Sequence, residues 1–259
     1  MRDFTLKKYR KLIQTILESG YTITTFEEFI RSNPPGKVVV LRHDVDDRPY
    51  QSLLKARFEN SIGVKSTYYF RIVPESNHPE IIREIAELGH EIGYHYEDLS
   101  LANGEPDKAI ELFVRNLHYF RKYYPVDTIC MHGSPASVWD NRLIWQSFKY
   151  KDYGISAEPY FDIDFNNTLY LTDTGRTWNG SSVSVRDKVK SPLQKKHSVR
   201  TTQQLINRFK DQRLPNRIMI TTHPQRWDDQ IIPWLRELIL QNIKNGIKKY
   251  LYISPPMTD

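Results

Sequence analysis

Apolar residues follow two alternating periods along the chain, one typical of helices and one typical of buried strands. Near the N-terminus, apolar residues at helical spacing span residues 6–17 and end at Gly20, and Thr25 begins a second helix that breaks at residues 33–36. Residues 37–46 then form a run rich in β-branched side chains whose last members are charged. A short apolar run of this kind predicts a fully buried strand with a polar C-terminal end.

The same alternation continues to the end of the chain. Further strands are predicted at residues 65–72, 89–95, 127–132, 154–157, 169–172, 217–223 and 250–253. Further helices are predicted at residues 50–60, 79–88, 107–124, 141–148, 201–210 and 231–245, with a basic loop at 186–200. Strands that alternate with helices form right-handed units around a parallel sheet. We therefore expect one α/β domain over residues 1–259, with residues 1–36 as an N-terminal helical layer.

Composition narrows the class of protein. The formal net charge is +6, and the single cysteine, Cys130, excludes an intrachain disulfide and is expected in the core. The chain shows neither a signal-peptide pattern nor an apolar run of about 18–20 residues, so we expect a cytoplasmic protein without stable membrane insertion. Known nucleic-acid-binding patterns are also missing, so no nucleic-acid partner is expected. The basic residues either form a solvated surface or attract acidic glycans, nucleotide sugars or lipid headgroups.

Histidines and carboxylates fall at the C-terminal ends of four predicted strands. In a parallel barrel these ends meet on one face, so separate segments would bring their side chains together as a metal site requires. The alternative is that the two aspartates cap the next helix and that each histidine is a satisfied core or loop residue. The residues concerned are His43, Asp44, Asp46, His95, His132 and His223.

A turn-rich segment after the predicted strand at 169–172 supplies further candidates. Asp173 and Arg176 are candidates to orient a catalytic partner through an ion pair, and a structural Asp–Arg hairpin is the alternative. Trp178 offers a platform on which a sugar ring could stack. The aromatic residues predicted to contact substrate are Trp178, Tyr96 and Trp227.

These segments resemble the NodB-type polysaccharide deacetylases, carbohydrate esterase family four in the broad sense. The likeness is strongest to a divergent bacterial branch whose first motif reads Arg-His-Asp-Val-Asp, as residues 42–46 do here in place of the main family's Thr-Phe-Asp-Asp. Residues 89–95 match the Gly-His-Glu-Ile-Gly-x-His context of the second motif, but Leu99 occupies the position of its second histidine. The nearest matches to the later motifs are His132-Gly-Ser-Pro135, Asp173 with Trp178, and Thr222-His223.

The resemblance implies a fold and a set of residue roles. The fold is a distorted (β/α)7-type barrel of mainly parallel strands with helices outside and an N-terminal helical extension. A divalent metal is implied, and Zn²⁺ suits histidine and carboxylate ligands. The implied roles are Asp44 as general base, His223 as general acid, and Asp46 and His95 as metal ligands. Because Leu99 replaces the second histidine, we expect His132 as the third ligand, with Glu97 or Asp98 as alternatives. Asp173 and Arg176 remain the candidates for supporting catalytic residues.

Together these features predict a metal-dependent hydrolase that removes an acyl group, in particular acetyl, from an N-acylated sugar or glycan precursor. The partner is then a carbohydrate or a sugar-linked small molecule, and the oligomeric state stays open. Two alternatives remain at this point. One is a metal-independent hydrolase of cyclic amides or formamides on the same fold, and the other is a non-catalytic carbohydrate-binding relative.

Overall fold

A computed structural model describes residues 2–133, 137–178, 189 and 191–248 of the chain. The predicted strand at 250–253 and the Ser134–Pro135 turn lie outside these residues, as does part of the predicted basic loop. None of the described helices is both long enough and apolar enough to cross a lipid bilayer. The α-helices are α1 (Leu6–Glu18), α2 (Phe26–Ser32), α3 (Pro49–Ser61), α4 (Pro79–Glu87), α5 (Asp98–Leu101), α6 (Pro106–Phe120), α7 (Pro159–Asp162), α8 (Pro192–Lys196), α9 (Thr202–Lys210) and α10 (Ile231–Lys248).

A curled, incomplete barrel of parallel strands forms the centre of the fold, with helices around it. The strands are β1 (Thr22–Thr24), β2 (Val38–Val45), β3 (Thr67–Phe70), β4 (Glu91–Tyr96), β5 (Ile129–Met131), β6 (Leu169–Thr172) and β7 (Arg217–Thr222). Their order is β6-β7-β2-β3-β4-β5, and β1 pairs with the first half of β2 while β3 pairs with its second half. All these pairings are parallel, so the polar C-terminal ends of the strands lie at one mouth of the barrel.

Strand β2 lies in the middle of the sheet, and its eight residues are all buried. Its side chains alternate between two faces, as the twofold period of a strand requires. Val38 and Val40 pack inside the barrel in the same cluster as Tyr69, Cys130 and Tyr170. Val39 and Leu41 pack outside it with helices α1 and α9. By the same alternation, Arg42 and Asp44 lie on the inner face and His43 lies on the outer face.

Gly93 in β4 shows how closely the interior is filled. A Cβ atom at this position would overlap the ring of Tyr69, whose hydroxyl bonds to Thr128 Oγ1 at 2.9 Å. Glycine therefore admits the Tyr69 ring beside β4. The next inner-face residue along the strand is His95, which therefore lies just above the Tyr69 ring, toward the mouth of the barrel.

The expected barrel architecture is confirmed, and most strand bounds differ from the prediction by one or two residues. The predicted helix at 141–148 is instead a 3₁₀ helix, Asn141–Gln146. The side chain of Asp140 caps its N-terminus by accepting a hydrogen bond from the backbone N–H of Arg142. Residues 154–157 contribute a single bridge, between Ala157 and Thr128, rather than a strand. Strand β1 and helix α8 were not foreseen, because three- and five-residue elements are too short to show a period.

Candidate functional site

One carboxylate and two imidazoles meet at the mouth of the barrel. Asp46 follows β2, and its Oδ1 lies 3.2 Å from Nδ1 of His132 and 3.6 Å from Nε2 of His95. The three ligand atoms all lie within 4.8 Å of one another. We call Asp46, His95 and His132 the mouth cluster.

Backbone contacts orient the His95 imidazole and fix the backbone of His132. His95 Nδ1 lies 2.8 Å from the carbonyl oxygen of Cys130, so Nδ1 carries a proton and Nε2 is directed toward Asp46. His132 follows β5, and its backbone N–H donates to the carbonyl of Tyr96 at 2.9 Å. The amide of Asn141 donates in turn to the His132 carbonyl at 2.9 Å. The strands therefore position the His95 imidazole, and strand β4 and the 3₁₀ helix at Asn141–Gln146 position the residue His132.

The charges of the mouth cluster suit a divalent cation. Asp46 Oδ1 is buried and accepts no hydrogen bond from any described residue. Burial alone would raise the pKa of Asp46, but the facing imidazoles of His132 and His95 hold it well below its usual range. Burial lowers the pKa of His132 despite the opposing charge of Asp46, so a neutral nitrogen is available. Two imidazoles and one carboxylate are ligands that Zn²⁺ accepts, and a cation bound there would satisfy the unpartnered oxygen.

The two alternatives to His132 as the third ligand have other partners. Both oxygens of Glu97 accept from Arg71, each at 2.8 Å, although one lies 3.9 Å from His132 Nε2. Asp98 accepts from the Tyr94 hydroxyl and from the Asn116 amide at 2.8 Å, and burial raises its pKa to about 7. The geometry thus favours His132 as the third ligand, with Glu97 at the edge of the cluster.

Asp44 lies inside the barrel below the mouth cluster. Its carboxylate is close to His95 and to Cys130, with ligand atoms within 4.8 Å. Arg42 Nη2 lies 3.5 Å from Asp44 Oδ2, whereas Asp44 Oδ1 is buried and makes no hydrogen bond to a described residue. Burial raises the pKa of the Cys130 thiol, which makes it a poor metal ligand near neutral pH. One oxygen of Asp44 is therefore held by Arg42 and the other is available.

Arg42 is a functional candidate that the sequence analysis did not single out. Its guanidinium is fully buried, donates from Nε to Thr221 Oγ1 at 2.6 Å and from Nη2 to the Tyr170 hydroxyl at 3.1 Å, and contacts Cys130 Sγ. Two residues separate Arg42 from Asp44 along β2, which places both on the inner face. That spacing was the signal that could have revealed the pair.

A second group at the mouth is His223 with its carboxylate, Asp173. His223 Nδ1 lies 2.6 Å from Asp173 Oδ1, and the His223 backbone N–H also donates to Asp173 at 3.0 Å. Arg226 Nη1 donates to Oδ1 at 2.8 Å and Trp227 Nε1 donates to Oδ2 at 2.6 Å. Burial would raise the pKa of Asp173, but Arg226 and His223 hold it well below its usual range. This leaves His223 Nε2 facing the mouth cluster, 3.9 Å from Asp46 Oδ2.

Four residues predicted for the site do not face the mouth, although Trp227 contacts Asp173 from behind. Arg176 donates to the carbonyl of Arg226 at 3.0 Å and packs over the rings of Phe4 and Trp234, so the side chain that pairs with Asp173 is that of Arg226. The three aromatic side chains are 3% exposed or less, which leaves no ring face for a sugar to stack on. They are Trp178 and Trp227, which pack behind His223 in the outer core, and Tyr96, which packs against helix α6.

His43 also lies away from the mouth. It belongs to another group that, like the mouth cluster, combines one carboxylate with two imidazoles. His43 Nε2 is 3.0 Å from Glu59 Oε1, and His90 Nδ1 is 3.7 Å from Glu59 Oε2. We call His43, Glu59 and His90 the buried cluster, since all three side chains are fully buried. Hydroxyl groups complete the hydrogen bonds of Glu59, namely those of Tyr9, Ser66 and Tyr68.

The buried cluster extends toward the mouth through Thr222. Thr222 Oγ1 lies 2.7 Å from His43 Nδ1 and accepts from Lys55 Nζ at 2.7 Å. Lys55 is buried between the rings of Tyr9 and Trp227, with Nζ 4.1 and 4.8 Å from their centroids. Burial lowers the pKa of Lys55 to about 7, against the opposing charges of Asp173 and Glu59.

The sequence matches no protein-family model and no curated protein. Several solved structures are similar to this chain at low identity. One is a mutant of BA3943, a CE4 family pseudoenzyme with restored enzymatic activity (11% identity, TM-score 0.44, 83% of this chain and 64% of that one). Another is the family 4 carbohydrate esterase from Streptomyces lividans in complex with acetate (16%, 0.44, 82% and 89%). A third is the Bc1960 peptidoglycan N-acetylglucosamine deacetylase (14%, 0.42, 91% and 91%).

Proposed function

We propose that the protein is a metal-dependent hydrolase that removes an acyl group, in particular acetyl, from the nitrogen of an N-acylated sugar or glycan precursor. The mouth cluster carries this proposal, because Asp46, His95 and His132 gather three ligand atoms within 4.8 Å beside a carboxylate with one available oxygen. The sugar and the acetyl group come from the motif resemblance, and the reaction type comes from the arrangement of the groups.

Asp46, His95 and His132 would hold the divalent cation, for which Zn²⁺ fits the donor set. Such a cation, when bound, supplies Lewis-acid activation of water and of the acyl carbonyl. Asp44 takes the proton of the attacking water through its available oxygen, while Arg42 holds the other oxygen. The low exposure of Asp44 keeps competing solvent away from this proton transfer.

His223 completes the reaction by protonating the leaving amine. An amide nitrogen needs this proton because an amide anion is a poor leaving group. Asp173 fixes the ring of His223 through Nδ1, so that Nε2 points into the mouth where the amine departs. Arg226 and Trp227 hold the carboxylate of Asp173 in turn, which keeps the imidazole in one orientation.

The decisive experiment measures metal content and acetate release together. The purified protein is incubated with a panel of N-acetylated sugars and sugar-linked precursors before and after chelation, and then after addition of Zn²⁺. We expect about one metal per chain, loss of acetate release on chelation and recovery with Zn²⁺.

The other outcomes identify the alternatives. Hydrolysis that survives chelation would indicate a metal-independent enzyme, and saturable glycan binding without product in the presence of metals would indicate a binding protein. Asp44→Asn must abolish turnover, whereas the matched variant Asp47→Asn, which alters an exposed neighbour, must leave it unchanged.

A further inference from the structure

Helix α10 presents an unusually apolar outer face. Its exposed aliphatic side chains reach 78% exposure at Ile232 and 65% at Ile231. Most lie one turn apart along the helix, so they form a continuous stripe rather than isolated residues. They are Ile231, Ile232, Leu235, Ile239, Leu240, Ile243 and Ile247.

The opposite face fixes the helix on the protein. Trp234 Nε1 donates to the carbonyl of Asp3 at 2.7 Å, and Asn245 Nδ2 donates to that of Gly175 at 3.0 Å. Gln241, between them on the same face, is only 4% exposed. The aliphatic stripe therefore points away from the protein, and it stays exposed with every described residue in place.

The charges beside the stripe decide what can cover it. Arg236 and Lys244 are exposed, whereas Glu237, the acidic residue of the α10 sequence, is partly buried on the inner side, where burial raises its pKa. Two copies of the chain packed through this face would bring cations against cations. An anionic lipid surface meets the same face with opposite charge and accepts the aliphatic side chains among its acyl chains.

We propose that the outer face of α10 docks on the surface of an anionic lipid bilayer. The helix lies parallel to the surface, because it is not apolar enough to cross the bilayer. The aliphatic stripe enters the boundary between headgroups and acyl chains, and Arg236 and Lys244 contact the lipid phosphates.

Docking would bring the candidate site close to the bilayer. Helix α10 packs against the 3₁₀ helix Pro224–Arg226, and Gln225 of that helix donates to Asp46 Oδ2 at 3.2 Å. A helix is about 10–12 Å thick, so docking would place Gln225, at the edge of the mouth, about one helix diameter from the headgroups. A lipid-linked saccharide is then the substrate class within reach, a consequence that rests on the proposed hydrolase function.

Vesicle flotation with the full chain tests the docking surface. We expect the protein to float with phosphatidylglycerol-containing vesicles and to stay behind with phosphatidylcholine vesicles or at high salt. Leu235→Glu/Ile239→Glu should weaken binding at least tenfold, and Arg236→Gln and Lys244→Gln about fivefold each. The matched control is Leu101→Glu/Leu143→Glu, which changes two exposed leucines elsewhere and should bind as the wild type does.

Light scattering and circular dichroism accompany the flotation assay. Failure of the wild type to bind anionic vesicles, or equal binding by Leu235→Glu/Ile239→Glu, would overturn the proposal. A wild-type dimer that this variant dissociates, without vesicle binding, would show that a second copy covers the stripe instead. Because binding is measured without substrate, absence of hydrolysis leaves this test intact, and a variant with lost binding should still hydrolyse a water-soluble substrate.

Discussion

The mouth cluster and the buried cluster each combine one carboxylate with two imidazoles, yet their surroundings differ. In the buried cluster, Glu59 accepts hydrogen bonds from three hydroxyls and from His43, and no solvent reaches it. In the mouth cluster, the side chain of Asp46 is 21% exposed and its Oδ1 lacks a described hydrogen-bond donor.

The difference teaches how to separate a structural cluster from a functional one when residue types are the same. A fully satisfied carboxylate has no capacity left for a ligand, and removing it leaves its donors unpaired. An unsatisfied carboxylate at the end of a strand costs stability and is retained where a ligand completes it. The same substitution should therefore affect stability in one cluster and activity in the other.

Asp46→Asn should produce the largest effect, and it should fall on activity. A neutral amide is a much weaker ligand than a carboxylate, so we expect loss of bound metal and a fall in kcat/KM of at least 10³-fold, or about 4 kcal/mol. The unfolding midpoint should fall less than in Glu59→Gln, because Oδ1 of Asp46 has no described donor to lose and an amide oxygen can still accept from Gln225. Metal analysis, acetate release and urea unfolding check this, and full metal content with normal turnover would remove Asp46 from the site.

Glu59→Gln should lower the free energy of unfolding by about 3 kcal/mol, since the amide cannot accept from all the donors around a buried carboxylate. Turnover per folded molecule should stay within about threefold. Urea denaturation measures the loss, and the exposed control Glu87→Gln should stay within about 0.5 kcal/mol of the wild type. Lost turnover without lost stability would mean that the buried cluster is functional after all.

Asp173→Asn should slow hydrolysis of an N-acetylated sugar about 100-fold, or about 2.7 kcal/mol, because the imidazole of His223 loses the group that orients it. Hydrolysis of p-nitrophenyl acetate should change far less, since its leaving group departs without a proton. Parallel assays on the two substrates provide the check. Equal losses on both would indicate that Asp173 supports the fold of the mouth rather than the departure of the amine.

Lys55→Met should have the smallest effect. We expect it to change only how the free energy of unfolding depends on pH. The folded-state pKa of about 7 lies below that of an unfolded lysine, so the unfolded chain binds the extra proton between about pH 7 and 10. The Lys55 contribution to stability must therefore rise with pH, by about 2 kcal/mol from pH 7 to pH 9. Urea titrations at the two pH values should show this rise in the wild type and in Lys7→Met, but not in Lys55→Met.

Much of the fold could be predicted because each strand can be recognised from its own stretch of sequence. Residues 38–45 and 217–222 are apolar runs that end in polar residues, and parallel pairing places those ends together. The parallel pairing alone predicts that Asp46, His95 and His132 lie close together, although their roles stay predictions. His43 was placed at the wrong face, because strand ends were considered without the alternation that separates it from Asp44.

The remaining site contacts depend on packing that a linear pattern does not contain. Arg226 reaches Asp173 across 53 positions of sequence, and Arg176, only three positions from Asp173, packs over aromatic rings instead. Trp178 and Trp227 were predicted to contact substrate, Trp178 as a platform for a sugar ring. In the structure their ring N–H groups donate to Thr202 and Asp173, which allows complete burial.

Strand β2 carries polar residues on both faces, with Arg42 and Asp44 on the inner face and His43 on the outer face. The hydrogen bonds on each face independently fix the register of β2 in the sheet. Sliding β2 by one residue against β3 and β7 would turn the His43 imidazole into the apolar interior and remove Arg42 and Asp44 from it. Both exchanges would bury unpaired polar groups, so alternative strand pairings are strongly disfavoured during folding. A single-residue insertion or deletion within Val38–Val45 should therefore be tolerated far less well than any substitution there.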